Sequence, residues 1–261
     1  MFRVALAFIG DSDIARWPEH LLPSLSLPNL SHHELTVTIF QNAAGGSTMR
    51  NLPTQIRGIQ ESILGDENNF DATIYIACCG ENDVSNKIPI HIIMESFQKA
   101  VKAIFHPKES STPNCHSQPH LIFLGPKVEP WMGSDEIDAR KGYFQLSEQL
   151  NADITKLCAR VADDHKDHTH SLKHTDCVED GHSITFLNCL TMFCEESTKA
   201  LSVVGGSAMA DKEFFNEDTL HLSDEGYMLW KEEVEIILAK LICNEECMQS
   251  LDNSHGLNIV L

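Results

Sequence analysis

The chain has 261 residues, 42% of them hydrophobic, which is enough for one large α/β domain or two small ones with a substantial core. Its 38 acidic against 19 basic residues give a formal charge of −19, a field that repels phosphate backbones and anionic membrane surfaces and argues against a nucleic-acid partner. No segment approaches the roughly 18 to 20 apolar residues of a membrane span, and an odd set of nine cysteines, with Cys78 and Cys79 adjacent, reads as free thiols in a reducing compartment.

Val4 to Ile9 is a continuous apolar run of buried-strand type that stops abruptly at Gly10-Asp11-Ser12-Asp13. The run lacks the small-residue cleavage pattern of a signal peptide, so a cytoplasmic location is expected. Ser12 would stand at the rim of a parallel sheet, where open α/β folds place their ligands, and is the candidate nucleophile. Ile14 to Leu25 has helical spacing broken by Pro18 and Pro23, with Asp13 as the expected cap. Glu34 to Phe40 alternates polar and apolar residues as a second strand. A small-residue loop containing Gly45 and Gly46 leads into a helix over Pro53 to Leu64. Ala72 to Cys79 is a third, wholly apolar strand ending in the turn sequence Gly80-Glu81-Asn82-Asp83.

Pro89 to Phe105 is helical by periodicity, residues 107–119 form a polar loop, and His120 to Leu124 is the fourth strand. Asp135 to Ala162 carries an intermittent helical pattern. Residues 163–182 are a polar excursion with five histidines and Cys177, whose spacing fits no standard zinc finger and reads as a solvated loop. Ile184 to Leu190 is a fifth strand, Cys194 to Met209 has no decisive pattern, and Ser223 to Leu241 is an amphipathic helix capped by Ser223 with Gly226 inside it. Strands alternating with helices predict an α/β fold, a doubly wound sheet of about five parallel strands with helices on both faces. One domain over 1–243 with a tail at 244–261 is expected.

Three strand ends thus deliver Ser12, Gly45-Gly46 and Asn82 to one sheet edge, and Asp218-Thr219-Leu220-His221 arrives just before the last helix. The three-residue spacing can put the Asp218 carboxylate and the His221 imidazole on one side of a turn. Acyl transfer by serine needs such parts: a base, a carboxylate to orient it, and donors for the oxyanion.

On these residues the sequence resembles the SGNH hydrolases, the GDSL esterases and lipases. Gly10-Asp11-Ser12 is similar to that family's first block, Gly46 to its glycine block, Gly80-Glu81-Asn82-Asp83 to its Gly-x-Asn-Asp block, and Asp218-Thr219-Leu220-His221 to its last block. The resemblance implies a flavodoxin-like sheet and a serine ester hydrolase with Ser12, His221 and Asp218 as its triad. It also implies an oxyanion hole built from the Ser12 and Gly46 backbone N–H groups and the Asn82 amide, with no metal and no cofactor. Asp13 departs from the family, which usually has Leu or Ile after its serine. The expected substrate is a small or soluble acyl ester, short-chain or acetyl.

Blander readings stand beside these. Asn82 alone could be a turn former and His221 a surface histidine, while Trp17 and Trp131 could wall a pocket or simply pack in the core. Asn29-Leu30-Ser31 matches a glycosylation sequon that recurs by chance. Asp11-Ser12-Asp13 also resembles the nucleophile motif of magnesium-dependent haloacid dehalogenase-like phosphatases, with Asp11 attacking. Ala15 stands there where Thr or Val is expected, and Asn82 and His221 are left without roles. A non-catalytic binding protein on the same fold is the third reading.

Overall fold

The computed structural model describes residues 2–24, 35–65, 69–106, 118–132, 136–164, 183–195 and 209–254. Five parallel strands form one sheet: β1 (Phe2–Gly10), β2 (Leu35–Gln41), β3 (Ala72–Cys78), β4 (Gln118–Leu124) and β5 (Ser183–Leu187), in the order β2-β1-β3-β4-β5. Between them run α1 (Ser12–Ala15), α2 (Leu52–Gly65), α3 (Glu81–Ser85), α4 (Ile90–Phe105) and α5 (Ile137–Asp164), and α6 (Asp224–Ser254) closes the described chain. Crossover helices cover both faces, which is why β1 and β3 read as apolar runs, whereas the edge strand β2 alternates.

Alternation along β1 shows how the two faces are filled. Ala5, Ala7 and Ile9 point into a core shared with Ile56 and Ile59 of α2, Phe97 of α4 and Leu146 of α5. Val4, Leu6 and Phe8 point the other way, against Trp17 and against Tyr227, Trp230 and Val234 of α6. Trp17 belongs to this second core: it is 4% exposed, its ring packs on Phe8, Tyr227 and Trp230, and its Nε1–H donates to the Leu21 carbonyl at 2.9 Å.

Boundaries differ from expectation where proline or polarity intervenes. The helix expected over Ile14 to Leu25 is the single turn α1, followed by a separate 3₁₀ turn at Glu19–Leu21, because Pro18 cannot continue the hydrogen-bond ladder. The turn expected at Gly80 to Asp83 winds into α3. Ser223 Oγ accepts the Gly226 N–H at 3.3 Å, as a cap should, and α6 runs on to Ser254, well past Leu241. Most of the histidine-rich excursion, residues 165–182, lies outside the described residues, as do 25–34 and 196–208. No described helix is long and apolar enough to cross a membrane.

Candidate active site

The chain leaves β1 for β2 on one side and later returns to β3 on the other, so the strand order reverses between β1 and β3. Open α/β sheets bind ligands at the carboxyl ends of strands flanking such a reversal. Gly10 and Cys78 are partners at that edge, and the Asp11 N–H donates to the Cys78 carbonyl at 3.1 Å. Gly10 has φ +137°, and a Cβ there would lie 2.0 Å from the Cys78 oxygen, so only glycine lets the strand turn directly into α1. Ser12 is the first residue of that turn and is half-buried.

Gln55 holds the kink in place. Its Oε1 accepts the Gly10 N–H at 2.7 Å, and its Nε2 donates to the Gly10 carbonyl at 2.8 Å and to Ser47 Oγ at 3.1 Å. Sequence reasoning missed this residue, although a signal existed: Gln55 shares the buried stripe of α2 with Leu52, Ile56 and Ile59. A polar side chain on such a stripe needs a hydrogen-bonding reason.

The second and third turns close around Ser12. The Ala44 N–H donates to the Gly10 carbonyl at 3.1 Å, and a Cβ built on Gly45 would sit 3.8 Å from the Ser12 Cβ. Gly46 adopts φ +75°, a left-handed conformation that costs glycine nothing. Asn82 in α3 donates Nδ2–H to the Ser47 carbonyl at 3.0 Å, and Asp83 accepts the Met49 N–H at 2.8 Å, which fastens α3 to the glycine loop. An amide nitrogen carries two hydrogens, so Asn82 has a second donor to spend.

His221 and Asp218 meet as their spacing suggested. Asp218 Oδ1 accepts the His221 backbone N–H at 2.9 Å and the Leu220 N–H at 3.0 Å, while Oδ2 lies 2.6 Å from His221 Nδ1. A carboxylate accepts and does not donate, so this contact is a hydrogen bond in the tautomer that carries its proton on Nδ1 and leaves Nε2 as an acceptor. Burial works against ionisation of Asp218, but the His221 N–H, its ring and the Leu220 N–H outweigh it and hold the carboxyl well below the usual carboxylate range. The turn is drawn tight by Thr219 at φ +58° and by Asn216, whose N–H donates to the His221 carbonyl at 2.8 Å.

Arg16 is a participant the sequence did not announce. Its Nη1 is 3.5 Å from Asp218 Oδ2 and 2.8 Å from His221 Nδ1. In the tautomer with a proton on Nδ1 a guanidinium N–H finds no acceptor there, and Arg16 pairs with the Asp218 carboxylate. Among the described residues no hydrogen bond joins Ser12 Oγ to His221, a link that commonly tightens only around a substrate.

Behind the serine lies a buried charge cluster. Lys127, on the segment after β4, is 0% exposed, and its Nζ lies 2.6 Å from Asp13 Oδ2, 3.0 Å from Glu81 Oε2 and 2.8 Å from Glu129 Oε1. Its own backbone N–H donates to Glu81 Oε1 at 2.8 Å, so one residue grips both oxygens of that carboxylate. Desolvation disfavours the ammonium, but Asp13, Glu129 and Glu81 outweigh it and keep Lys127 charged. Burial raises the carboxyls of Glu81 and Glu129 above the usual range. Removing one partner from a buried ionic group of this kind typically costs about 3–5 kcal/mol.

The expected cap role of Asp13 is therefore a misassignment. Asp11 caps α1, its Oδ1 accepting the Asp13 N–H at 3.2 Å, and Asp13 is 2% exposed and points inward at Lys127. Tyr227 of α6 donates its hydroxyl to the Asp13 carbonyl at 2.8 Å, which ties the Ser12 turn to the helix that follows His221. Asp11 itself is 1% exposed, and burial, reinforced by Asp13, raises its carboxyl well above the ordinary value. A carboxyl enclosed in this way is out of reach of a substrate phosphate and makes a poor phosphatase nucleophile. Trp131 sits at the rim, 36% exposed, with its Nε1–H on Glu129 Oε2. Beside it a cavity of about 240 Å³ is lined by Glu129, Pro130, Met132 and Met209 among others.

A five-stranded parallel sheet whose edge turns carry a serine, an amide and an Asp-His pair defines an α/β protein with a candidate site at that edge. The family model of GDSL-like lipase/acylhydrolase matches residues 7–234, and the chain belongs to that family. It is accordingly a carboxylic ester hydrolase. A comparison with curated proteins finds no match. Among solved structures the chain is similar to a Streptococcus pneumonia protein provisionally assigned as a platelet activating factor, with 14% identity, TM-score 0.53, and 89% of this chain and 83% of that one covered. It is also similar to a lipolytic protein of the G-D-S-L family from Veillonella parvula, with 15% identity, TM-score 0.48 and coverage of 88% and 94%. A psychrotrophic esterase, EstA, from Pseudoalteromonas matches at 11% identity and TM-score 0.45, covering 91% and 98%.

Proposed function

We propose that the protein cleaves short-chain acyl or acetyl esters through a Ser-His-Asp triad and an acyl-enzyme. His221 Nε2 takes the proton of Ser12 Oγ, and Oγ attacks the ester carbonyl. The tetrahedral oxyanion is held by the backbone N–H groups of Ser12 and Gly46 and by the free hydrogen of Asn82 Nδ2. His221 then protonates the departing alcohol, and water, activated by the same imidazole, releases the acid. Asp218 fixes the tautomer and stabilises the imidazolium. The observation that carries this reading is the Asp218 to His221 contact of 2.6 Å, which leaves the ring's outer nitrogen as a base at the sheet edge that bears Ser12. The oxyanion donors are neutral amides and need no deprotonation; losing one typically costs about 2.7–4 kcal/mol of barrier.

The free buried thiols of Cys78, Cys79 and Cys189 support a reducing, cytoplasmic setting. Neutral esters suit the acidic surface better than strongly anionic ones. Ser12→Ala should lower turnover of p-nitrophenyl acetate by about 10⁴-fold or more while leaving the melting temperature near that of the parent. A small fluorophosphonate should label Ser12 in the parent, as read by peptide mass. Undiminished hydrolysis by the alanine variant would overturn the triad.

A further inference from the structure

We propose that Lys127 is a positioning residue for ester hydrolysis: its ammonium straps the turn that carries Ser12 to the turn that carries Asn82. The inference rests on reading those two residues as nucleophile and oxyanion donor. Asp13 is the chain neighbour of Ser12, Glu81 is the chain neighbour of Asn82, and one Nζ lies 2.6 Å from the first carboxylate and 3.0 Å from the second. Beyond the last rung of the β1 and β3 ladder, the Asp11 to Cys78 bond of 3.1 Å is the backbone link between the two turns. The Lys127 strap adds a second fastening, which meets one turn just past Ser12 and the other just before Asn82.

The strap is rigid for three reasons. Lys127 is fully buried, so water does not compete for its donors. Glu81 is held at both oxygens by the Lys127 backbone and side chain, which leaves its carboxylate no rotation. The third arm runs to Glu129, whose other oxygen takes the Trp131 N–H, so the ammonium is held from a third direction as well. An apolar side chain at position 127 would fill this space without the cost of desolvating a charge. What a hydrophobe could not do is fix the spacing between two turns by directed bonds. Displacement of a reacting group by about 1 Å can cost on the order of 100-fold in rate.

The test compares Lys127→Met with two variants that each cut one arm and leave the ammonium in place, Asp13→Asn and Glu81→Gln. For Lys127→Met we expect kcat on p-nitrophenyl acetate to fall about 30- to 100-fold with KM within about threefold, and fluorophosphonate labelling of Ser12 to slow in parallel. Each single-arm variant should lose about five- to tenfold in kcat in the same manner. Val234→Ala, which thins the core under α6, controls for loss of stability alone: it should lower the melting temperature yet keep parental kcat in its folded fraction. A folded Lys127→Met protein with parental kcat, or one whose deficit lies in KM, overturns the proposal. Should that variant not fold, parental kcat in both single-arm variants overturns it equally. Ser12→Ala separates the two levels: if it stays active, the serine reading and the strap fall together, whereas an inactive Ser12→Ala beside normal strap variants removes only the strap.

Discussion

At the scale of single residues, Asp218 shows how a site group can be half in water and still do its work. Its side chain is 44% exposed, yet two backbone donors and one ring nitrogen hold both of its oxygens. Asp218→Asn keeps the shape but presents an amide where a proton acceptor is needed, which favours the wrong imidazole tautomer. We expect kcat to drop on the order of 10³- to 10⁴-fold, as measured on a soluble acetyl ester. The sign of its stability contribution also follows. A carboxyl whose folded value lies below its unfolded value of about 3.9 stabilises the fold fully above that pH and loses the contribution as pH falls through the folded value. The gap between parent and Asp218→Asn urea midpoints should therefore be constant from pH 5 to 7 and narrow below about pH 4. A gap that widened on acidification would contradict the hydrogen-bond account.

At the scale of elements, the decisive feature is the join between β1 and α1, where Gly10 converts a strand into a one-turn helix with no connecting loop. Gly10→Ala would force its methyl group into the Cys78 carbonyl and strain a positive φ. It should cost about 3 kcal/mol or more, seen as a lowered melting temperature with activity lost in proportion or beyond. β1 and β3 were legible because burial on both faces makes each an uninterrupted apolar run, β2 because it alternates, and Ser12, Asn82, Asp218 and His221 stood out as candidates because they lie at the ends of such runs or at helical spacing. What the sequence hid follows a different logic. Asp13 finds its countercharge 114 positions away in Lys127, and no local pattern announces a pair at that separation. In Gly125-Pro126-Lys127-Val128-Glu129-Pro130 the prolines and glycine spell an exposed loop, and only the fold reveals that its lysine is sealed inside. α3 escaped notice because five mostly polar residues contain too little periodicity to mark a helix.

At the scale of the whole molecule, the formal charge of −19 sets the long-range field around the candidate site. An ester with an anionic alcohol or acyl tail must approach against that field, whereas a neutral ester of equal size feels none of it. Raising ionic strength from about 10 to about 150 mM shrinks the screening length from about 30 to about 8 Å. This change should raise kcat/KM for the anionic ester severalfold and leave the neutral one within about twofold. Equal salt responses for the two esters would place the acidic residues out of the path of approach. The sheet order also distributes the candidate groups unequally along the chain. Ser12, Gly46, Asn82 and Lys127 precede β5, but His221 stands just ahead of α6, and Tyr227 of that helix closes on the Asp13 carbonyl at 2.8 Å. On the proposed triad reading, the nucleophile and its amide donors emerge during synthesis long before their base, and the growing chain would stay silent toward esters until α6 docks.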